Sequence, residues 1–309
     1  MALNPEAQKF LELRASYNAP KITDVGVAAR YLGYAEPDLA GPLEEGVQIS
    51  HRFISSNSAD LPIRIYTPAG TGPFNGFLYF HGGGWVFGRI DQYDSQMTYL
   101  AKATNSVIVS VNYQKAPEHK FPTPHQDCYE ALEWVVAHAK ELKIDPSKIG
   151  VGGDSAGGNL ASGVSLRARD EGKFDIAYQL LLYPAVNLNF ETESYDLYAE
   201  GYGLTKEEMM WFWNQYLNPG DHENPYAVPA RAKNFSKLPP AIIIIAEYDV
   251  LRDDGLLYVE KLSEAGNLVI SKNFDSEIHG FFSHGKYVKS AFALREFIAK
   301  SINEIVGKS

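Results

Sequence analysis

Ile149-Gly150-Val151-Gly152-Gly153-Asp154-Ser155-Ala156-Gly157-Gly158-Asn159-Leu160 is the stretch on which the fold turns. An apolar, β-branched run ends in a glycine-flanked serine. A helix is expected to open at once and run from Ala156 to about Asp170. Strand, turn and helix in immediate succession leave the serine at a helix N-terminus, on a turn too tight for bulky neighbours. Side chains at Gly153 or Gly157 would clash across that turn, and the serine is expected in a strained backbone conformation with positive φ. The helix dipole there favours developing negative charge. Gly-x-Ser-x-Gly alone is weak in a chain with 26 glycines. An ordinary glycine-rich turn is the bland alternative, and the strand–turn–helix context weighs against it.

Toward the N-terminus, His81-Gly82-Gly83-Gly84-Trp85 closes another apolar run. Three glycines let a loop backbone approach a ligand with its N–H groups pointing inward. A phosphate loop is the alternative, but G-x-x-x-x-G-K-[ST] is absent and no helix pattern follows directly. His81 precedes the loop and is expected to brace it by hydrogen bonds rather than to react. A serine on a tight turn and a place for negative charge are together what acyl transfer needs.

Strand and helix patterns alternate from about residue 47 onward. Val47–Ser55 and Leu61–Thr67 read as a hairpin, and Gly76–His81, Ser106–Tyr113, Lys148–Gly153 and Tyr178–Tyr183 as strands. Ala241–Ala246, with four consecutive isoleucines, suits a strand buried on both faces. Leu268–Phe274 reads as the last strand. Helices are expected over Gln126–Leu142, Arg252–Glu264 and Lys286–Val306. This alternation predicts an α/β fold, a mostly parallel sheet with helices on both faces. Two regions break it: the first forty or so residues, and Asn187 to about Tyr226. Thr205 and Glu208 have capping-box spacing at the start of Lys206-Glu207-Glu208-Met209-Met210-Trp211-Phe212-Trp213. That insertion is either an extra helix on the core or a cap that lines an apolar acyl pocket.

The chain has 309 residues, 45% hydrophobic and 21% charged, enough for a large core. Its net charge of −10 argues against nucleic acid, whose affinity comes from Lys and Arg on phosphates. The single cysteine, Cys128, excludes an internal disulfide and a cysteine-based zinc site. No His-Glu-x-x-His or clustered ligand spacing points to a metal, and G-x-G-x-x-G is absent after the first strand. No signal peptide or transmembrane run is read, so a cytoplasmic protein without stable membrane insertion is expected.

If the serine is a nucleophile, an acid and a base should follow it in the order Ser…Asp…His. Asp249, four residues beyond Ile245, fits a loop after a strand. Asp253 and Asp254 are rivals that suit the first turn of the next helix better. His279, in Ile278-His279-Gly280-Phe281, follows the last strand, with His284 as the alternative. His51, His119, His125, His138 and His222 read as surface or packing residues. Among these, His119 is expected to hold its loop by hydrogen bonding. Asp154 is expected to hydrogen-bond nearby backbone.

His81-Gly82-Gly83-Gly84, Tyr113-Gln114-Lys115-Ala116-Pro117-Glu118, Gly153-Asp154-Ser155-Ala156-Gly157, Glu247-Tyr248-Asp249 and His279-Gly280-Phe281 stand in the order seen in hormone-sensitive-lipase-type esterases. The chain resembles that branch of the α/β-hydrolases. It departs at Gln114-Lys115, where the family often has Arg-Leu. The resemblance implies a single-domain α/β-hydrolase fold with an eight-stranded sheet, a core of about 46–186 and 227–309, and a cap from about 1–45 and 187–226. It implies a serine carboxylesterase with Ser155, Asp249 and His279 as triad and no cofactor or metal, and the aromatic cap, with no long exposed apolar surface, suggests short- to medium-chain acyl esters. The oxyanion hole would comprise Gly82, Gly83, Gly84 and Ala156. The N–H groups of Gly83, Gly84 and Ala156 would donate while Gly82 shapes the loop; two of the three glycines donate in the family, and which two stays open. Trp85, Leu204, Trp211, Phe212 and Phe281 are candidates for the substrate pocket or for plain core packing. The partner would be a small-molecule ester, and a homodimer through Leu268–Phe274 would fit. Rival readings are a receptor that binds without turnover on the same fold, or an amidase or lactonase.

Overall fold

The computed structural model describes residues 2–31, 39–57 and 59–307. Residues 32–38 of the expected cap, Ser58 of the hairpin loop and the chain ends lie outside the described residues. The strands are β1 (Val47–Ser55), β2 (Asp60–Pro68), β3 (Phe74–Phe80), β4 (Ser106–Val111), β5 (Ile144–Asp154), β6 (Gln179–Leu182), β7 (Ala241–Tyr248) and β8 (Val269–Ile278). They form one eight-stranded sheet in the order β1-β2-β4-β3-β5-β6-β7-β8. Strand β2 is antiparallel to both its neighbours, and every other pairing is parallel.

The helices are α1 (Pro5–Ser16), α2 (Ile22–Val25), α3 (Asp94–Ala103), α4 (Thr123–Ala137), α5 (Ala156–Glu171), α6 (Glu193–Leu197), α7 (Lys206–Tyr216), α8 (Arg252–Glu264) and α9 (Ser290–Val306). Alternation along the central strands divides them between two layers. Leu78, Val109, Val151 and Ile243 face a core built with α4, α5 and α8. Phe77, Ile108, Leu180 and Ile242 face another built with α3 and α9. Because both faces are covered, β4, β6 and the isoleucine run of β7 are buried on both sides.

Several boundaries differ from expectation. Helix α4 starts at Thr123, with Pro124 in its first turn, and stops at Ala137. The chain must turn back there, through Lys143 at φ 58°, to enter β5 at Ile144. Strand β8 continues to Ile278 because Tyr248 still pairs with it. Helix α9 starts at Ser290, after a turn in which the Lys286 N–H donates to the Leu39 carbonyl at 2.8 Å. The capping box on α7 forms: the Glu208 N–H donates to Thr205 Oγ1 at 3.1 Å and the Thr205 N–H to Glu208 Oε2 at 2.9 Å.

The strand order positions the site. From β3 the chain goes to β4 on one side and then to β5 on the other. Such a reversal opens a crevice beyond the carboxyl ends of the two strands. The glycine loop leaves β3 at that edge, and the serine turn leaves β5.

Candidate active site

Ser155 sits between β5 and α5 at φ 56°, the strained conformation the motif predicts. Two features hold it there. Its N–H donates to the Leu182 carbonyl at 2.8 Å. A methyl group on Gly157 would lie 1.9 Å from the Phe80 carbonyl oxygen, so only glycine lets α5 come this close to β3. His279 follows β8, with its Nε2 2.9 Å from Ser155 Oγ and its Nδ1 2.6 Å from Asp249 Oδ2. Asp249 is buried in the loop after β7, and its other oxygen accepts the Leu251 N–H at 2.9 Å. The Tyr183 ring packs edge-on against the imidazole at 4.8 Å.

The rival groups lie elsewhere. Asp253 accepts from the Ser194 N–H and from Arg252, and Asp254 from the Asn187 N–H, both in the first turn of α8. Burial holds the Asp254 carboxyl well above its usual range. His284 packs on Phe10 at 4.3 Å, and burial pushes its imidazole down to about 3. His119 is exposed and gives its loop no side-chain hydrogen bond among the described residues, contrary to expectation. Arg30 holds that loop instead. It donates to the carbonyls of Val86 at 2.8 Å and Ala116 at 2.5 Å and pairs with Glu118 at 2.8 Å. Its partners are 56 or more positions away in sequence, so no local signal marks it.

Within the glycine loop the three residues differ. The Gly82 N–H donates to Asp154 Oδ1 at 2.8 Å, so it is committed to bracing the loop. Asp154 also accepts from Tyr79 at 2.7 Å and Tyr93 at 3.0 Å. Burial raises its carboxyl, and these three donors oppose the shift. Asp154 thereby ties the loop after β3 to the turn after β5, reaching beyond the backbone contact expected of it. His81 braces the same loop. Its ring stacks on Tyr113 at 4.4 Å, with Nδ1 2.7 Å from the Gly82 carbonyl, and burial pushes it down to about 3, so it stays neutral. The N–H groups of Gly83 and Gly84 meet no acceptor among the described residues. Ala156, as the first residue of α5, has no intrahelical acceptor for its N–H.

These groups border a cavity of about 540 Å³ that Ser155 and His279 share with Gly82, Gly83, Gly84 and Ala156. Leu204, Met209 and Phe212 line it from α7 and the turn before it, and Ile22 from α2. Trp85 borders it too, but its ring is fully buried and stacks on Tyr216 at 4.4 Å. Two expected pocket residues do not line it. Trp211 points to the neighbouring side of α7 and stacks on Phe87 at 6.2 Å. Phe281 is fully buried against Phe274 at 5.0 Å, because Gly280, at φ 78°, turns the chain back into the core. Among the described residues no acidic, histidine or cysteine cluster could hold a metal, and no helix is long and apolar enough to cross a membrane.

Residues 77–283 match the family described as alpha/beta hydrolase fold. The chain is 34% identical to an arylesterase of Saccharolobus solfataricus, over 91% of this chain and 92% of that protein. It is 35% identical to the carboxylic ester hydrolase LipN of Mycobacterium tuberculosis, over 77% of this chain and 65% of the relative. Among solved structures it is similar to the ester hydrolase EH1AB1 from the metagenome of Lake Arreo, solved with a bipyridine phosphonate derivative. The TM-score is 0.94 at 32% identity, covering 99% of both chains.

Proposed function

The chain belongs to the α/β-hydrolase family, among its hormone-sensitive-lipase-type carboxylic-ester hydrolases, and on that premise we propose that Ser155 is the nucleophile of a two-step ester hydrolysis. Ser155 Oγ attacks the ester carbonyl while His279 Nε2 takes its proton. Asp249 holds the imidazole in the required tautomer and stabilises the imidazolium. The oxyanion of the tetrahedral intermediate sits among the N–H groups of Gly83, Gly84 and Ala156, each donor contributing about 3–4 kcal/mol in the transition state. As the intermediate collapses, His279 returns the proton to the leaving alcohol. Water then repeats the attack on the acyl-enzyme. The observation that carries this reading is the unbroken relay from Asp249 through His279 to Ser155, at 2.6 and 2.9 Å, beside two loop N–H groups that meet no acceptor among the described residues.

Residues 187–226 and the N-terminal segment act as a cap in this reading, with α7 presenting the apolar wall. Leu204, Met209 and Phe212 with Ile22 suit a short- to medium-chain acyl group in a cavity of about 540 Å³. A receptor that binds without turnover would have no use for a paired serine and imidazole.

Hydrolysis of p-nitrophenyl esters from acetate to palmitate, by wild type and Ser155→Ala, tests the proposal. Activity should peak at the short to medium chains and fall about 10⁴-fold or more in the variant. Absence of turnover by folded wild type on every ester would remove the esterase reading in favour of the receptor or amidase.

A further inference from the structure

Lys115 is one of the charged groups on the cavity wall that this mechanism leaves unused. It lies between β4 and α4 and lines the same cavity as Ser155 and His279. An ammonium has three N–H donors. One meets Asn112 Oδ1 at 2.8 Å and another the Tyr113 carbonyl at 3.1 Å. Neither acceptor is charged, and no ion pair forms at Lys115 among the described residues. The groups that face it are Arg30, His81 of the glycine loop, and Asp127 and Cys128 of α4. Arg30 repels it; the Asp127 carboxylate attracts it but is hydrogen-bonded to the Gln114 N–H at 2.8 Å and forms no direct ion pair with it. Burial, with Arg30 beside it, pushes Lys115 down to about 8, so the ammonium still predominates at neutral pH.

The other charges on the wall are answered. Arg30 is paired with Glu118, and Arg89 with Asp91 in solvent. Arg14 is exposed, where water screens it. Glu208 is held by the Thr205 cap, and Asp154 by two tyrosines and a backbone N–H. What remains is one half-buried cation with a spare donor and no directly paired carboxylate among the described residues, an arrangement that repays little of the cost of desolvating the charge.

Building on the ester-hydrolase reading, we infer that Lys115 selects esters bearing a second, anionic group, of which the monoester of a dicarboxylic acid is the simplest. The substrate carboxylate takes the third N–H of Lys115 and forms the direct ion pair that Asp127 does not, while the ester carbonyl lies at Ser155.

The test compares monoethyl esters of succinic, glutaric, adipic and suberic acids with ethyl esters of monocarboxylic acids of matching chain length. Wild type at pH 7 should favour at least one monoester by about tenfold in kcat/KM, and Lys115→Met should lower that monoester-to-neutral ratio to about one or less. Taking a ratio cancels any general effect of the substitution on packing. If Lys115→Met does not fold, the wild-type ratio decides. It should fall between pH 7 and pH 9 as Lys115 loses its proton. Turnover of neutral esters with no monoester preferred, or a preference that survives both Lys115→Met and the rise in pH, overturns the inference and leaves the hydrolase reading standing. Turnover of neither kind of ester overturns both.

Discussion

The cavity has two walls that are made in different ways. The wall at the sheet edge, Gly82–Gly84, Ser155 and His279, is held by backbone: glycines where a Cβ has no room, a serine at positive φ, and N–H groups aimed at buried acceptors. The helical wall, Ile22, Leu204, Met209 and Phe212, is held by apolar side chains packed on one another. Packing of that kind tolerates exchange at similar volume, and backbone contact does not. The proposed reaction therefore confines the chemistry to one wall, and the proposed choice of substrate to the other and to Lys115.

The contrast is tested most severely at Gly157. A methyl group there meets backbone, the Phe80 carbonyl at 1.9 Å and the His81 carbonyl at 2.8 Å, which no rotamer change relieves. Gly157→Ala should push α5 off β3 and shift Ser155, with activity falling about 10³-fold or more and stability by about 3 kcal/mol. Ester turnover and thermal denaturation measure the two. Near-normal values in both would show that the turn is softer than its contacts imply.

Gly84 is where the walls meet. A methyl group there would lie 2.2 Å from the Phe212 ring, a side chain that can yield, and the residue has φ +59°. Gly84→Ala should cost about 10²-fold in kcat by disturbing a proposed oxyanion donor. Adding Phe212→Ala should restore part of that loss, because the obstacle is removed while the αL strain stays. No rescue in the double variant would mean that backbone strain, and not the helical wall, carries the defect.

The same division explains what could be read in advance. Sheet-edge residues carry their reasons in the local sequence: the glycines around Ser155, the glycine run after β3, and the strand preceding Asp249. The helical wall does not. Met209, Met210, Trp211, Phe212 and Trp213 are apolar in succession, so periodicity cannot say which side of α7 faces the cavity. Phe212 does, and Trp211, one position earlier, does not. Phe281 follows the catalytic-motif histidine closely, yet a single αL glycine sends its ring into the core. The Asp154 link to Gly82 and the Arg30 brace join positions 72 and 56 apart, and such contacts exist only once the sheet is assembled.

The weakest expected effect lies at the foot of the helical wall, where Thr205 caps α7. Thr205→Ala removes the acceptor for the Glu208 N–H and one half of the capping box. The expected loss is about 1 kcal/mol, readable as a small shift in the denaturation midpoint. Lacking contact with Ser155, His279 or the glycine loop, the cap should leave kcat for short esters unchanged. KM should rise modestly for the longest esters accepted, which lean furthest on Leu204 and Phe212. A drop in kcat for acetate would contradict the division between the walls, because it would make the helical wall a participant in the chemistry as well as in its selectivity.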